Sequence, residues 1–287
     1  MALATLCFAA LDSTAKFLVV KKGIPVAEVT WLRFAGHVVF SAAVLWPFAL
    51  APSLRSARPL VQWLRSALMV MTTGFNFVAL RYLQLDQTVT IFFLTPLVVA
   101  ALAGPLLDEW IGWHRMVAVV AGFLGVLIVM HPGFGPHTGR CYSRSSPPSA
   151  MRCITWPHAI SRHSIPLAQT YTPLAGFLVM APFAFATWQW PQDTRLWVLF
   201  ASLGFWGGLG HWLLILAHRS APASVLAPFI YLGLIWMSAA GFLIFGDVPT
   251  LWTLSGAAIV IVSGLYLLAR ERKVVGVAGP TSDIATQ

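Results

Sequence analysis

The sequence predicts an all-α membrane protein, a bundle of spanning helices, and three observations carry that prediction. Apolar stretches of spanning length follow one another through the whole 287-residue chain with short connections between them. Hydrophobic residues make up 58% of the chain and charged residues only 9%, against the roughly 25% charge of a soluble domain. The mean hydropathy of +0.78 is correspondingly high. A water-soluble fold of this length could not hide so much apolar surface.

A bilayer core needs roughly 20 residues of helix to cross it. The stretches 2–20, 27–49, 64–80, 85–107, 113–130, 166–187, 196–217, 221–245 and 250–269 meet that ruler. The first lacks a basic leading segment and a small-residue cleavage site, so it reads as a span and not a signal peptide; the start reads as a few residues short. It carries Asp12 and Lys16 at i, i+4 on one helix face. Charge inside a span is expensive and usually faces the bundle interior. The pair is therefore a candidate for solute or proton coupling, with a self-neutralising ion pair and a snorkelling Lys16 as the alternative.

The second span holds Arg33, whose planar fork suits a carboxylate. Pairing with Glu28 or Asp12 is the equal alternative, and His37 reads as a hydrogen-bonded packing residue. In the third span, Thr72, Thr73 and Asn76 are polar contacts between helices, with Asn76 a candidate solute ligand. Thr95-Pro96 breaks the helix ladder of the fourth span, and Pro228, with Tyr231 three residues on, does the same late in the chain. Freed carbonyls at such breaks are tolerated where they line a cavity or find partners. The stretch 196–217 contains Gly204, Trp206, Gly207, Gly208, Gly210 and His211. Those glycines admit either a neighbouring helix or a ligand, and Trp206 and His211 are its candidate side chains. Trp188, Trp190 and Trp197 flank a polar turn and read as interfacial anchors.

The net charge of +9 orients the chain and does not bind nucleic acid, because the basic residues form no aromatic-laced patch. Arg55, Arg58, Arg65, Arg115, Arg162, Arg219, Arg270, Arg272 and Lys273 fall on one set of connections, and Lys21, Lys22, Arg81 and Arg195 on the other. The positive-inside rule then puts both termini in the cytoplasm. Cys7, Cys141 and Cys153 make no zinc or redox spacing. No metal, cofactor or enzyme motif is present: no H-E-x-x-H, no phosphate loop and no G-x-S-x-G. A membrane-embedded enzyme or lipid-handling protein would need a cluster of acidic or His residues at one face, which the sequence lacks.

Shifted by about 138 residues, the chain resembles itself. Ala79-Leu80-Arg81-Tyr82, a long apolar run, Asp108-Glu109 and a helix with Gly122 and Gly125 are echoed by Ala217-His218-Arg219-Ser220, the run 221–245, Gly246-Asp247 and a helix with Gly256 and Gly264. Five spans per copy would place the copies upside down relative to each other, with a solute site at their interface. Ten spans are then expected, and the tenth should lie in 135–165. That segment carries Arg140, Arg144, Arg152, Arg162 and Pro147-Pro148 with no apolar run. Each Arg at mid-bilayer costs ~2.5–3.5 kcal/mol. If the segment does not cross, every later span reverses against the charge bias. A frame slip resolves the conflict: with GC-rich codons chosen for Gly139 to Pro157, dropping two bases yields an uncharged helix beginning Pro-Leu-Leu-Phe-Ala-Leu-Ile. A natural insertion is the alternative, and a slip would make the chain a non-functional remnant.

The chain resembles the EamA-type members of the drug/metabolite transporter superfamily. The resemblance rests on Arg33-Phe34, Arg81-Tyr82, Phe93-Leu94-Thr95-Pro96, Asp108-Glu109, Gly122-Phe123-Leu124-Gly125-Val126 and His131-Pro132-Gly133, then on Ala221-Pro222-Ala223-Ser224, Pro228-Phe229-Ile230-Tyr231 and Phe245-Gly246-Asp247. It implies ten helices in two inverted five-helix repeats around a central cavity, and export of a small metabolite such as an amino acid by alternating access. The expected organisation is a first repeat at 1–134, the anomalous segment 135–165, a second repeat at 166–270 and a cytoplasmic tail at 271–287. Asp12, Lys16, Arg33, Asn76, Trp206 and Tyr231 are the expected cavity residues, with Pro96 and Pro228 as helix breaks. Expected partners are a small solute and the inner-membrane bilayer, without nucleic acid; proton coupling and oligomeric state stay open.

Overall fold

A computed structural model describes residues 1–45, 59–93, 113–130, 165–191, 193–220, 226 and 229–277. All regular elements among them are helices. In chain order they are α1 (Ala2–Lys16, continued by a π turn Phe17–Lys21), α2 (Val26–Leu45), α3 (Pro59–Tyr82), α4 (Leu85–Phe92), α5 (Trp113–Met130), α6 (Ile165–Ala186), α7 (Thr194–Ser220), α8 (Leu232–Ala240, continued by a π turn Gly241–Phe245) and α9 (Leu251–Val277). Each coincides with an expected span. Helices α3 and α9 run past the expected limits 64–80 and 250–269, because an apolar ruler sees only the lipid-matched part. Their polar residues beyond those limits (Gln62; Arg270, Glu271, Arg272 and Lys273) are good helix formers that extend the helix without adding hydropathy. Pro96, Pro228, Asp108-Glu109 and nearly all of the segment 135–165 lie outside the described residues.

Helix α7, at 27 residues, is about 40 Å long at 1.5 Å per residue. It and the stretch Ala2–Lys21 are long and apolar enough to cross a membrane by themselves. Shorter apolar helices cover Met116–Val129, Thr170–Ala186, Leu232–Phe245 and Leu251–Tyr266. Large apolar side chains stand exposed on the outer faces, among them Val39, Phe123, Phe183, Val198, Ile235 and Val262. Charged groups, by contrast, lie inside: Asp12, Lys16, Glu28, Arg33 and Asp86 are all buried. That inversion of the soluble pattern is what lipid as solvent requires.

The principal seams are α2 on α6, α2 on α7, α3 on α6, α1 on α7, α1 on α8, α4 on α8 and α5 on α9. Two of them are glycine crossings. A Cβ on Gly204 would collide with the backbone of Gly36, so only a glycine pair lets α2 and α7 come this close. Gly125 and Gly256 meet in the same way between α5 and α9.

These contacts also fix which end of the bundle each helix reaches. Gly125 opposes Gly256, Ile259 and Val260, and Val129 opposes Gly256, so α5 runs antiparallel to α9. Helix α9 begins beside Asp247, which is bonded to Lys16 near the end of α1. Met130 therefore lies at the Lys16 end. Gln189, just past α6, donates its backbone N–H to Glu28 in the first turn of α2, which is also at the Lys16 end. Helix α6 thus ends there, and its start lies at the opposite end, where Arg65 in the first turns of α3 donates to Thr172. Since α5 stops at one end and α6 starts at the other, the later helices are not reversed.

Candidate functional site

The middle of α1 faces α2, α3 and α7, and those helices supply the polar groups of the bundle interior. Asp12 is 8% exposed and Arg33 5%. Asn76 of α3 donates its Nδ2–H to Asp12 Oδ1 at 3.1 Å. Arg33 of α2 lies near enough for its charge to act on Asp12, without a direct ion pair between them. Its Nη2 is 3.3 Å from His211 Nε2 of α7, and its guanidinium lies over the Phe34 ring at 4.6 Å. His211 in turn stacks on His37, ring centroids 5.5 Å apart at an interplanar angle of 15°, and meets the Phe8 ring edge-on. Four helices thus converge on one acid, one guanidinium, one amide and two imidazoles.

The chain folds this way locally because its glycines remove side chains exactly where polar groups must enter. Gly207 presents bare backbone to Arg33: a Cβ there would sit 3.6 Å from Arg33 Nε. Gly208 accepts Phe40 and Gly210 accepts Phe8. The glycine-rich stretch of α7 therefore admits side chains from α1 and α2. Two polar atoms of the group have no partner among the described residues although both are buried: the donor Arg33 Nε and the acceptor Asn76 Oδ1.

This geometry corrects two of the alternative pairings, Asp12 with Lys16 and Arg33 with Glu28, and the snorkelling of Lys16. Asp12 and Lys16 share a helix face but not a bond, because the Lys16 side chain points on to Asp247, Nζ to Oδ2 at 3.0 Å. Lys16 does not snorkel either: its side chain is 8% exposed and its ammonium sits over the Phe245 ring at 4.7 Å. Glu28 pairs with the Gln189 backbone and not with Arg33. Trp206 packs edge-on against Phe205 and makes no bond to Asp12 or Arg33. Tyr231 lies apart, its ring against Phe93 at 5.0 Å and its hydroxyl against Gly264. Of the six expected cavity residues, Asp12, Arg33 and Asn76 form one group; Lys16, Trp206 and Tyr231 stand outside it.

Sequence reading missed Asp86 and undervalued His37. Asp86 is 4% exposed and sits in the first turn of α4, where an acid reads as an ordinary helix start. Its only sequence signal was the charge itself beside a long apolar run.

A group of charged and amide side chains held inside apolar helices has the character of a transport path, and comparison with known proteins bears directly on it. The EamA-like transporter family pattern matches residues 1–131 and 154–270. The chain belongs to the EamA-like transporter family. It is therefore a multi-pass membrane transporter, and the resemblance in its motifs is a true relationship. Named relatives agree. An S-adenosylmethionine uptake transporter of Rickettsia bellii is 30% identical over 252 residues, covering 86% of this chain and 84% of the relative. A riboflavin transporter of Vibrio cholerae is 28% identical over 286 residues, covering 95% and 93%. A solved crystal structure shares the fold with a TM-score of 0.60 at 15% identity, over 96% of this chain and 99% of that one. The named relatives of this EamA-like chain are transporters. Their names speak of S-adenosylmethionine uptake and of riboflavin, not of amino-acid export.

Proposed function

We propose that this EamA-like protein moves a small polar organic solute through a site built on Asp12, Arg33 and Asn76, by alternating access between two inverted repeats. The observation that carries the reading is the convergence of these three residues and His211, from four helices, in the interior of an otherwise apolar bundle. Arg33 offers a fixed cation with a free Nε–H, and Asn76 offers a free carbonyl beside the Asp12 carboxylate. Such a set suits a solute that carries both an anionic or acceptor group and a cationic or donor group. The uptake transporters among its relatives favour import over the export expected from sequence, and favour a cofactor-sized solute over an amino acid.

Repeat symmetry is supported by the seams. Under the shift of about 138 residues, α2 corresponds to α6, α3 to α7, α4 to α8 and α5 to α9. The seams α2 on α6, α4 on α8 and α5 on α9 then each join an element to its own mate. The seams α2 on α7 and α3 on α6 exchange with one another, as a two-fold relation demands. We place both termini in the cytoplasm on the charge bias.

Reconstituted protein should take up radiolabelled S-adenosylmethionine or riboflavin, the two probes that the relatives suggest. Asp12→Asn, Arg33→Lys and Asn76→Ala should each lower that uptake while the protein still extracts as a monodisperse species. Equal uptake by all three variants and the parent chain would reject the site. A second reading is carried by residues 132–153, which the family pattern skips and which fall inside the polar segment 135–165. On that second reading the gene has slipped frame and the product does not transport. Resequencing decides it: one continuous frame through codons 136–165 ends that reading.

A further inference from the structure

The Lys16 end of the bundle holds a second charged group that transport chemistry at Asp12 does not use. Helix α1 ends at Lys16 in a π turn, Phe17–Lys21. Helix α8 ends in another, Gly241–Phe245, directly before Asp247. Each π turn is followed by a left-handed glycine, Gly23 at φ 70° and Gly246 at φ 73°. Gly246 lets the chain reverse so that the Asp247 N–H reaches back to the Gly241 carbonyl at 3.1 Å. That reversal carries the Asp247 carboxylate to the Lys16 ammonium. Both are helix stops closed by a glycine in the left-handed conformation, and the two stops bring Lys16 and Asp247 together.

A third member completes the group. Asp86, at the start of α4, has Oδ1 bonded to the Gln87 N–H at 2.8 Å. Its Oδ2 is buried without a partner among the described residues. The charges of Lys16 and Asp247 both act on it. Gly241 separates the two acids: a Cβ there would lie 3.7 Å from Asp247 Cβ and 4.0 Å from Leu85 Cβ, one residue before Asp86. The ammonium is bonded to Asp247 alone, while its charge also reaches the Asp86 carboxylate. Asp86 belongs to the same half of the chain as Lys16, and Asp247 to the other half.

We propose that Lys16 is a two-position latch: paired with Asp247 it clamps the end of α1 to α8, and by passing to Asp86 it lets that end of the bundle open. The need for a second acceptor is electrostatic. Breaking a buried ion pair strands an uncompensated charge, which is strongly unfavourable. A bridge that must open and close in each cycle works only if the freed ammonium has another carboxylate waiting, and Asp86 Oδ2 is that carboxylate. The proposal rests on the alternating-access reading above, since the two carboxylates lie in the two halves that reading moves apart.

Thiol labelling tests the latch without any solute. In a chain with Cys7, Cys141 and Cys153 replaced by serine, Ala15→Cys puts a reporter beside Lys16 at a position 1% exposed. A membrane-impermeant maleimide is applied to right-side-out and inverted vesicles. Because labelling follows the population of the open form, Asp247→Asn should speed it about tenfold from one side only. Asp86→Asn should slow it about threefold or more below the parent, because the open position of Lys16 is lost. A purely structural ion pair predicts no slowing. An unchanged rate in Asp247→Asn, or a parental or faster rate in Asp86→Asn, overturns the proposal. Should Asp247→Asn fail to reach the membrane, the isosteric Asp86→Asn decides alone, and loss of folded protein in that variant also counts against the latch. A failed latch leaves solute uptake through Asp12 untouched. The labelling pattern without any solute uptake rejects only the transporter reading.

Discussion

Asp12 and Lys16 sit one helical turn apart on the same face of α1 and are held in different ways. Asp12 takes a neutral amide from α3, its own half of the chain, and keeps an Arg charge nearby without closing an ion pair. Lys16 closes its ion pair fully, and does so with the other half. The open arrangement is suited to exchanging partners with a solute. The closed one is suited to holding two bodies together. One helix face thus carries a carboxylate without an ion pair and an ammonium with one, and the difference comes from which helices each residue meets.

The comparison breaks first at Asp12. Asp12→Asn keeps the shape and can still bond Asn76, but it removes the carboxylate. With hydrogen bonds to charged groups worth about 1.5–3 kcal/mol, uptake should fall about ten- to hundredfold, measured as initial rate in proteoliposomes, while thermal stability stays within the parent's range. Arg33→Lys retains charge but not the planar fork or its free Nε–H. Uptake should fall about tenfold, and a parental rate would show that charge alone is enough. Lys16→Met acts on stability instead. Orphaning a buried partner costs about 3–5 kcal/mol, and Asp247 is 26% exposed. We therefore expect a loss of about 1–3 kcal/mol, read as an earlier thermal unfolding of detergent-solubilised protein. Asn76→Ala removes one bond between helices, worth about 0.6 kcal/mol on average to the fold, so its effect on uptake should exceed its effect on unfolding. Tyr231→Phe and Trp206→Phe lie outside the Asp12 group and should leave uptake within about twofold of the parent; a larger loss in either would extend the site.

The glycine pair sharpens the contrast between the two halves in another way. Gly204→Leu would drive a side chain into the Gly36 backbone, and overpacking of this kind destabilises by about 1–3 kcal/mol or more. That seam brings Arg33 to His211, so both folded yield and uptake should drop together in that variant. By contrast, Gly74 has nothing within 4 Å of an added Cβ, and Gly74→Ala on the same α3 helix as Asn76 should change neither.

Hydropathy alone determined that this chain is helical, lies in lipid and spans it many times, because the bilayer sets one length and one polarity for every crossing. Its motifs determined the family. Charge inside a span flagged Asp12, Lys16 and Arg33, and an amide there flagged Asn76, since such groups are too costly to be accidental. Which of them meet was not legible: i, i+4 spacing joins Asp12 to Lys16 on paper, while the tertiary fold sends them to Asn76 and Asp247, residues 64 and 231 positions away. Glycines of α7 announced close approach without saying what would approach. The helix stops beside Lys16 and Asp247 are marked in the sequence by Gly23 and Gly246, but nothing there says that the two stops meet. Local periodicity sets where a helix lies and which face is polar; only the assembled bundle, through contacts between residues distant in the chain, decides which buried charge clasps which.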